Sequence, residues 1–296
     1  MEFKDWYAAR TSFEKALALN PSSKESRDEL STVRGQIGII ARQDHLDPYY
    51  VPPETMISDF CSRLGITRNE FDDVLKKKAE EDPITGYNLQ GDLYRDGIGR
   101  EKDLAKAFEF YTMTAEKGSE VGMYNLGKMY NCGEGVKRDY EKSLYWFLKA
   151  ANSKASSELG KGIVESQHAI GLKYFVGEGV EKDYQKAAEW YEKAAKNGCD
   201  RAATNLGNLY RDGLGVQRSP TKAFKLFKIA VECGNTTAMM NLADCYFNAS
   251  GTGSIVASKE DIAEGMKWLK IAAEKGDQRA AQKLERHKNQ GGLEKR

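Results

Sequence analysis

Four repeat loops in one register carry Gly-x-Gly, a pattern that can turn backbone amides toward a phosphate. They are Gly97-Ile-Gly99, Gly133-Glu-Gly135, Gly177-Glu-Gly179 and Gly213-Leu-Gly215. A phosphate loop follows a strand, holds more glycines and often ends in a lysine–serine pair, and none of these accompanies the four copies. Asp96-Gly-Ile-Gly and Asp212-Gly-Leu-Gly resemble the start of a calcium loop, but no ladder of alternating carboxylates follows. The glycines are therefore read as turn geometry. The histidines are His45, His168 and His287, and His168, on a first helix, is read as having no cysteine or carboxylate at metal or catalytic spacing. Neither Gly-x-Ser-x-Gly nor His-Glu-x-x-His occurs. The five cysteines, Cys61, Cys132, Cys199, Cys233 and Cys245, include no Cys-x-x-Cys pair. Cys199 and Cys233 end neighbouring segments; two free thiols are expected there rather than a bridge. The expectation is a protein without catalysis, cofactor or metal.

A different chemistry recurs in register. Asn125, Asn205 and Asn241 occupy one position of a repeated segment, with Ala169 between them. An asparagine amide pairs a donor with an acceptor, as a peptide group does. It suits the backbone of a bound peptide, and it equally suits a neighbouring loop carbonyl. Around this row stand Tyr124, Lys128, Asn131, His168, Asn208 and Arg211, varying from copy to copy. Variation of this kind fits a shaped partner surface and also an unconstrained one.

The row sits on a repeat. Asn-Leu-Gln-Gly-Asp-Leu-Tyr (88–94) returns as Asn-Leu-Gly-Lys-Met-Tyr (125–130), Ala-Ile-Gly-Leu-Lys-Tyr (169–174), Asn-Leu-Gly-Asn-Leu-Tyr (205–210) and, degraded, Asn-Leu-Ala-Asp-Cys-Tyr (241–246). Gly91 to Gly127 and Gly171 to Gly207 are each 36 residues apart, while Gly127 to Gly171 is eight longer. A fixed period of this size specifies stacked two-helix units, none of which can bury its apolar face alone. Within 164–199, Gly171 lets a neighbouring helix approach, Gly177 ends the first helix in a left-handed residue, and Asp183 caps the second. Ala187, Trp190, Tyr191 and Ala194 then share one face. Asp103, Asp139 and Ser219 stand at the same cap position, with Pro220 at the first helical position. The bulky pairs are Phe110/Tyr111, Trp146/Phe147, Trp190/Tyr191, Leu226/Phe227 and Trp268/Leu269. Trp190 is expected to be a large buried aromatic between repeats. Copy two carries an insertion near 153–161, and copy five has Ala243 for the first glycine and a longer loop, 248–259.

Outside the repeats, Ala9, Phe13, Ala16 and Leu17 mark a helix over 3–20, stopped by Asn20-Pro21, and a second helix runs over about 23–41. Residues 42–54, with Pro48, Pro52 and Pro53, read as a linker. Two short helices follow near 55–64 and 68–81, the latter with Thr67 and Glu70 as a capping box. Residues 278–288 form a final helix that caps the stack.

Lysine plus arginine is 45 and aspartate plus glutamate 44, a net of +1, which argues against a dedicated nucleic-acid surface. No apolar run approaches the roughly 20 residues that span a bilayer, so no direct membrane insertion is expected. The start of the chain lacks the apolar core of a secretory signal, and a reduced, cytoplasmic setting is expected.

The motif Ala/Asn-Leu/Ile-Gly-x-x-Tyr … Gly-x-Gly-Val … Asp-Tyr-x-Lys-Ala … Trp-Tyr/Phe … Gly resembles the Sel-one-like repeat family, a relative of the tetratricopeptide repeat. Residues 120–235 match closely; 84–119 and 236–277 match with departures, Gln90 for leucine and Ala243 for glycine. The spacing Ala-x3-Phe-x2-Ala-x4-Pro in 9–21 is similar to the second helix of a tetratricopeptide unit, whose first helix would precede Met1. Either the chain is a fragment or this helix packs elsewhere. The resemblance implies an all-α, right-handed solenoid whose first helices line a concave face, where asparagine can bond an extended peptide. It also implies roles as adaptors and scaffolds: a ubiquitin-ligase adaptor, chitin synthase activators, mitochondrial assembly factors and secreted bacterial proteins. The secreted group carries a cysteine pair in every repeat, which this chain lacks.

The expected organisation is thus a partial tetratricopeptide unit with a capping helix (1–41) and a linker with a short helical pair (42–83). Five repeats follow (84–119, 120–163, 164–199, 200–235 and 236–277), then a capping helix and tail (278–296). The expected function is non-catalytic: a scaffold or adaptor holding a partner segment through Tyr124, Asn125, Lys128, Asn131, His168, Asn205, Asn208, Arg211 and Asn241. The alternative is a regulatory or activator subunit of an enzyme complex; a hydrolase like those claimed among secreted relatives would need a nucleophile–base pair that the sequence does not offer.

Overall fold

The computed structural model describes residues 80–97, 100–153, 161–252 and 256–293, together with residues 73, 76 and 77. The helices expected over 3–20, 23–41 and 55–64, the linker over 42–54 and the core of the insertion, 154–160, lie outside the described residues. Of the helix expected over 68–81, residues 73, 76, 77, 80 and 81 are described and are helical.

The described chain is all helical: α1 Pro83–Asp96, α2 Leu104–Glu116, α3 Glu120–Cys132, α4 Tyr140–Ala151, α5 Lys161–Val176, α6 Tyr184–Lys196, α7 Asp200–Asp212, α8 Pro220–Glu232, α9 Thr236–Phe247, α10 Lys259–Glu274 and α11 Gln278–Leu293. It belongs to the class of helix-turn-helix repeat solenoids. It divides into two compact units, one ending at Ile163 and one starting at Val164. In the first, α1 pairs with α2, α3 with α4, and α2 packs on α3. In the second, α7 pairs with α8, α9 with α10, and α6, α8 and α10 each pack on the first helix of the following segment.

Caps fix where the second helices start. Asp103, Asp139, Asp183 and Ser219 each accept a hydrogen bond from the backbone N–H three residues on, at Lys106, Lys142, Lys186 and Lys222. The cap residues also tie the loops shut. Asp139 N–H donates to the Tyr130 carbonyl at 2.9 Å, Asp183 to Tyr174 at 2.8 Å and Ser219 to Tyr210 at 2.8 Å. Asp103 N–H donates to the Tyr94 carbonyl at 2.9 Å in the same way, so the first four repeats close the loop with the same bond, whereas the N–H of the fifth cap residue, Ser258, donates to Asp261.

Between the two helices of a hairpin runs a seam built on absence of a side chain. A Cβ placed on Gly91, Gly127, Gly171 or Gly207 would fall 2.5–2.6 Å from the ring of Tyr111, Phe147, Tyr191 or Phe227 respectively. No real side chain tolerates that approach. The ring presses against the glycine of the facing helix, and flanking alanines such as Ala107, Ala187, Ala194 and Ala223, all fully buried, keep the helices close.

This geometry corrects the expectation for Trp190. Its neighbour Tyr191 is the buried ring, and Trp190 is only half-buried, with the Lys193 ammonium 4.1 Å from its ring centroid. The same holds in every copy: the second member of each bulky pair is buried and the first half-buried. Consecutive residues of a helix point to different faces, so only one member of the pair can enter the seam.

The fifth repeat reaches the same end by different means. Gly265 on α10 takes the ring of Phe247 from α9, at 2.5 Å from an added Cβ, so the glycine and the aromatic have exchanged helices. Ala243 and Leu269, at the usual glycine and ring positions, are both fully buried in one cluster. The loop also hides a degraded Gly-x-Gly. Ala249 occupies the position of Gly213 and keeps a left-handed φ of 49°, the only non-glycine residue to do so among the described residues. Gly251 follows at the position of Gly215. Both second glycines touch the preceding repeat: a Cβ on Gly215 would lie 2.2 Å from the Tyr184 backbone, and one on Gly251 2.5 Å from the Pro220 carbonyl oxygen. The second glycine of the loop thus serves contact between repeats.

Candidate functional site

The asparagine row lies on the first helices of the hairpins: Asn125 on α3, Asn205 on α7 and Asn241 on α9. In the first unit the row is carried by α3. Tyr124, Lys128 and Asn131 are half-buried and Asn125 is buried. The Tyr124 ring lies 5.8 Å from that of Phe147, and the Lys128 ammonium 5.8 Å from Tyr124. No partner among the described residues takes the Nδ2 of Asn125.

In the second unit the row is bonded across successive first helices. Asn205 Nδ2 on α7 lies 3.2 Å from Nε2 of His168 on α5, and Asn205 also bonds the Tyr191 hydroxyl. Asn241 on α9 donates to Oδ1 of Asn208 on α7 at 3.0 Å. Asn235 donates to Asp200 at 2.8 Å, Arg201 pairs with Glu165, and Lys283 of α11 pairs with Asp244 of α9. Arg211 is held by Asp212 at 2.8 Å, and Arg218 Nε donates to the Arg211 carbonyl at 3.0 Å. The structure therefore brings His168 to Asn205 and Asn208 to Asn241. Tyr124, Asn125, Lys128 and Asn131 form a separate set in the other unit. Asn205 and Asn241 bond side chains of adjacent first helices, and among the described residues no hydrogen bond to a loop carbonyl, one of the two expected roles, is made by any of the three asparagines.

Burial sets the electrostatics of this face. His168 is buried beneath Asn205 and 5.8 Å from the Tyr191 ring. Burial, with the nearby Arg201 cation, lowers its pKa to about 4, so the ring is neutral near pH 7 and Nε2 accepts. Burial pushes the Tyr191 phenol well above its usual value. The Asp212 carboxyl is held below the usual range by its bond to Arg211.

The sequence reading passed over the same positions in the first repeat. Asp92, buried, stands at the register of Lys128 and Asn208. It accepts from the Tyr111 hydroxyl at 2.7 Å and pairs with Arg95 at 3.1 Å, and Arg95 also donates to Asp96 and to the Tyr111 oxygen. The signal was available, since Asp92 follows Gly91 as Lys128 follows Gly127. Lys173 was passed over as well: it is buried at a position where other copies place Met129 or Leu209, and Glu178 of the loop closes on it at 3.3 Å. Among the described residues no three His, Cys, Asp or Glu side chains stand close enough to hold a metal, and no helix is long and apolar enough to cross a membrane.

With the hairpins and their first-helix face in place, comparison with known proteins is decisive for family. The model of the Sel1 repeat matches five times, at 87–119, 121–154, 164–199, 200–235 and 236–277. The chain belongs to the Sel1 repeat family. Sel1 repeat proteins are generally protein-interaction scaffolds and typically non-catalytic. A solved Sel1-like structure, a protective antigen of uropathogenic Escherichia coli strains, is 31% identical with a TM-score of 0.65, over 76% of this chain and 45% of that one. Among curated Sel1 relatives, chitin synthase regulatory factor 3 of Schizosaccharomyces pombe is 30% identical over 32% of this chain. The ERAD-associated E3 ubiquitin-protein ligase component HRD3B of Arabidopsis thaliana is 38% identical over 22% of it. The matches cover only 10–14% of the curated relatives' own length.

Proposed function

We propose that this Sel1 repeat chain is a non-catalytic scaffold that holds a segment of a partner protein along its first-helix face, in the cytoplasm. The observation that carries this reading is the contrast within each hairpin. The seam repeats one packing solution, whereas the first-helix positions at one register present different polar groups: Lys128 and Asn208, Asn131 and Arg211. Contacts spread along such a face give affinity without a deep pocket. The free thiols of Cys132, Cys199, Cys233 and Cys245 support a reduced setting. His168, the buried imidazole, has Asn205 and an aromatic ring for company, an arrangement that supplies no activated nucleophile.

A second reading is favoured by the relatives' names, a regulatory factor and a ligase component. Here the chain would be a subunit that alters an enzyme's activity. Affinity purification of the tagged chain with mass spectrometry separates the two: a scaffold yields partners whose activity is unchanged by saturating chain, and an activator yields one enzyme whose rate follows it. The face itself is tested by a variant with Asn125, Asn205 and Asn241 all changed to alanine. It should stay helical by circular dichroism and capture partners at a tenth of the wild-type yield or less. Full capture by a folded triple variant would overturn the reading.

A further inference from the structure

One cap position carries a hydroxyl where three others carry a carboxylate. Asp103, Asp139 and Asp183 open α2, α4 and α6, and Ser219 opens α8 at the same register. Each aspartate accepts from the backbone N–H three residues on, at 2.9–3.0 Å. It also pairs with the ammonium of that same residue, Lys106, Lys142 or Lys186, at 3.3–3.6 Å. The backbone bond holds each carboxyl below its usual range, so the position favours an anion. The Ser219 side chain makes only the backbone bond, and a longer one, 3.4 Å. Lys222 keeps the place of the three lysines. As in the other copies its ammonium lies over the loop-closing tyrosine, here Tyr210 at 4.9 Å, but no carboxylate meets it among the described residues.

The charge around this cap also sets it apart. From the residue before the cap to the sixth after it, the first three second helices each hold two cations and two carboxylates. These are Lys102 and Lys106 with Asp103 and Glu109, Arg138 and Lys142 with Asp139 and Glu141, and Lys182 and Lys186 with Asp183 and Glu189. The same span of the fourth repeat holds Arg218, Lys222 and Lys225, all exposed, and no carboxylate. Like charges one turn apart on a helix repel, so stability alone does not ask for this set. A doubly charged anion at the cap would offset most of it.

The sequence offers a way to install that anion. Ser219 is followed directly by Pro220, and three residues on by the cation Lys222. Its backbone is extended, with φ −150° and ψ 91°, and lies outside the helix. Its hydroxyl donates to no group among the described residues, so no bond must break to release its proton.

We propose that Ser219 is a phosphorylation site, modified by a proline-directed serine kinase, and that the phosphoserine takes the place of the cap aspartates. Transfer from a nucleoside triphosphate forms the bond between Ser219 Oγ and the γ-phosphorus and breaks the bond from that phosphorus to the β,γ-bridging oxygen. The nucleoside diphosphate leaves, and the hydroxyl proton passes to the kinase's base. The phosphate carries about −1.5 to −2 near pH 7. It accepts from the Lys222 N–H, meets the Lys222 ammonium and sits at the positive end of α8. Ser219 closes the loop on Tyr210, and Gly215 of that loop presses on the Tyr184 backbone of the preceding repeat. Phosphorylation therefore tightens the fourth repeat onto the third, whatever partner the first helices hold.

A panel of proline-directed kinases is first screened on a peptide of residues 212–226, and one that modifies it is applied with ATP to the full chain. Mass spectrometry should place one phosphoryl group on Ser219, retained in Thr221→Ala and lost in Ser219→Ala. The modified chain should melt about 2 °C or more above the unmodified one near neutral pH. The dianion is the stabilising form, so the gain should shrink as pH falls through the second phosphate ionisation near about 6. Lys222→Gln should remove about half of it or more. Modification of the peptide but not of the full chain, or of Thr221 alone, would overturn the inference, as would a panel that leaves the peptide untouched. So would a phosphorylated chain that melts at or below the temperature of the unmodified one.

Discussion

The seam inside each hairpin and the asparagine row on the first helices are built from neighbouring residues yet obey different rules. In the seam, glycine meets a buried ring four times at the same 2.5–2.6 Å from an added Cβ, and a fifth time, with the two helices exchanged, it meets the half-buried Phe247 ring. In the row, the three asparagines have three different sets of partners: His168 with Tyr191, Asn208, and none among the described residues. The difference teaches what repetition is for. The seam must bury each apolar face against its neighbour, and only a few shapes do so. The row bears no such constraint, so each copy is free to specialise.

The comparison breaks most readily at the ring. Tyr191→Ala should cost about 3–5 kcal/mol, since it empties a fully buried aromatic site, whereas Trp190→Ala, half-buried, should cost about 1–2 kcal/mol. Chemical denaturation of both variants decides it; equal losses would remove the distinction between the two members of the bulky pair.

A second test sets the row against pH. The folded pKa of His168 is about 4 and the unfolded value about 6.5, so the unfolded chain takes up the proton first as pH falls. Neutral His168 bonded to Asn205 persists in the folded chain down to about pH 4, so the associated stability is fully present above pH 6.5 and falls by about 3 kcal/mol between there and about pH 4. His168→Gln should abolish that part of the pH dependence. A profile between pH 7 and 4 identical to wild type would contradict the assignment.

The loops give smaller and opposite effects. Gly177 has a φ of 88°, and Gly177→Ala should destabilise by about 1–2 kcal/mol. Ala249→Gly relieves a left-handed alanine and should stabilise by roughly 0.5–1 kcal/mol. Thermal melts of the pair should therefore shift in opposite directions, and a shift in the same direction would argue against a shared loop geometry. Tyr191→Phe, which deletes only the hydroxyl bonded to Asn205, should cost about 1 kcal/mol.

These residues also mark how far the sequence could be read. The hairpins were legible because caps and periodicity act locally: Asp183 beside an alanine-lined face needs no knowledge of the rest of the chain. Which of Trp190 and Tyr191 enters the seam was not legible, because both lie near the apolar face and only the approach of Gly171 from another helix decides. The exchange of Gly265 and Phe247 was hidden for the same reason, as was Ala249 standing in for a loop glycine. The row's register was visible in the sequence, but its bonds were not. Asn125, Asn205 and Asn241 look alike until His168 and Asn208 are placed around them in space.

The claim that the first helices carry recognition and the second helices carry packing is tested most directly by photo-crosslinking in cells. A benzophenone amino acid is placed singly at Lys128 or Asn208 on first helices, and at Lys149 or Lys193 on second helices. The account predicts that the first-helix positions trap the same partner bands and that the second-helix positions trap none. Crosslinks confined to Lys149 and Lys193 would contradict it.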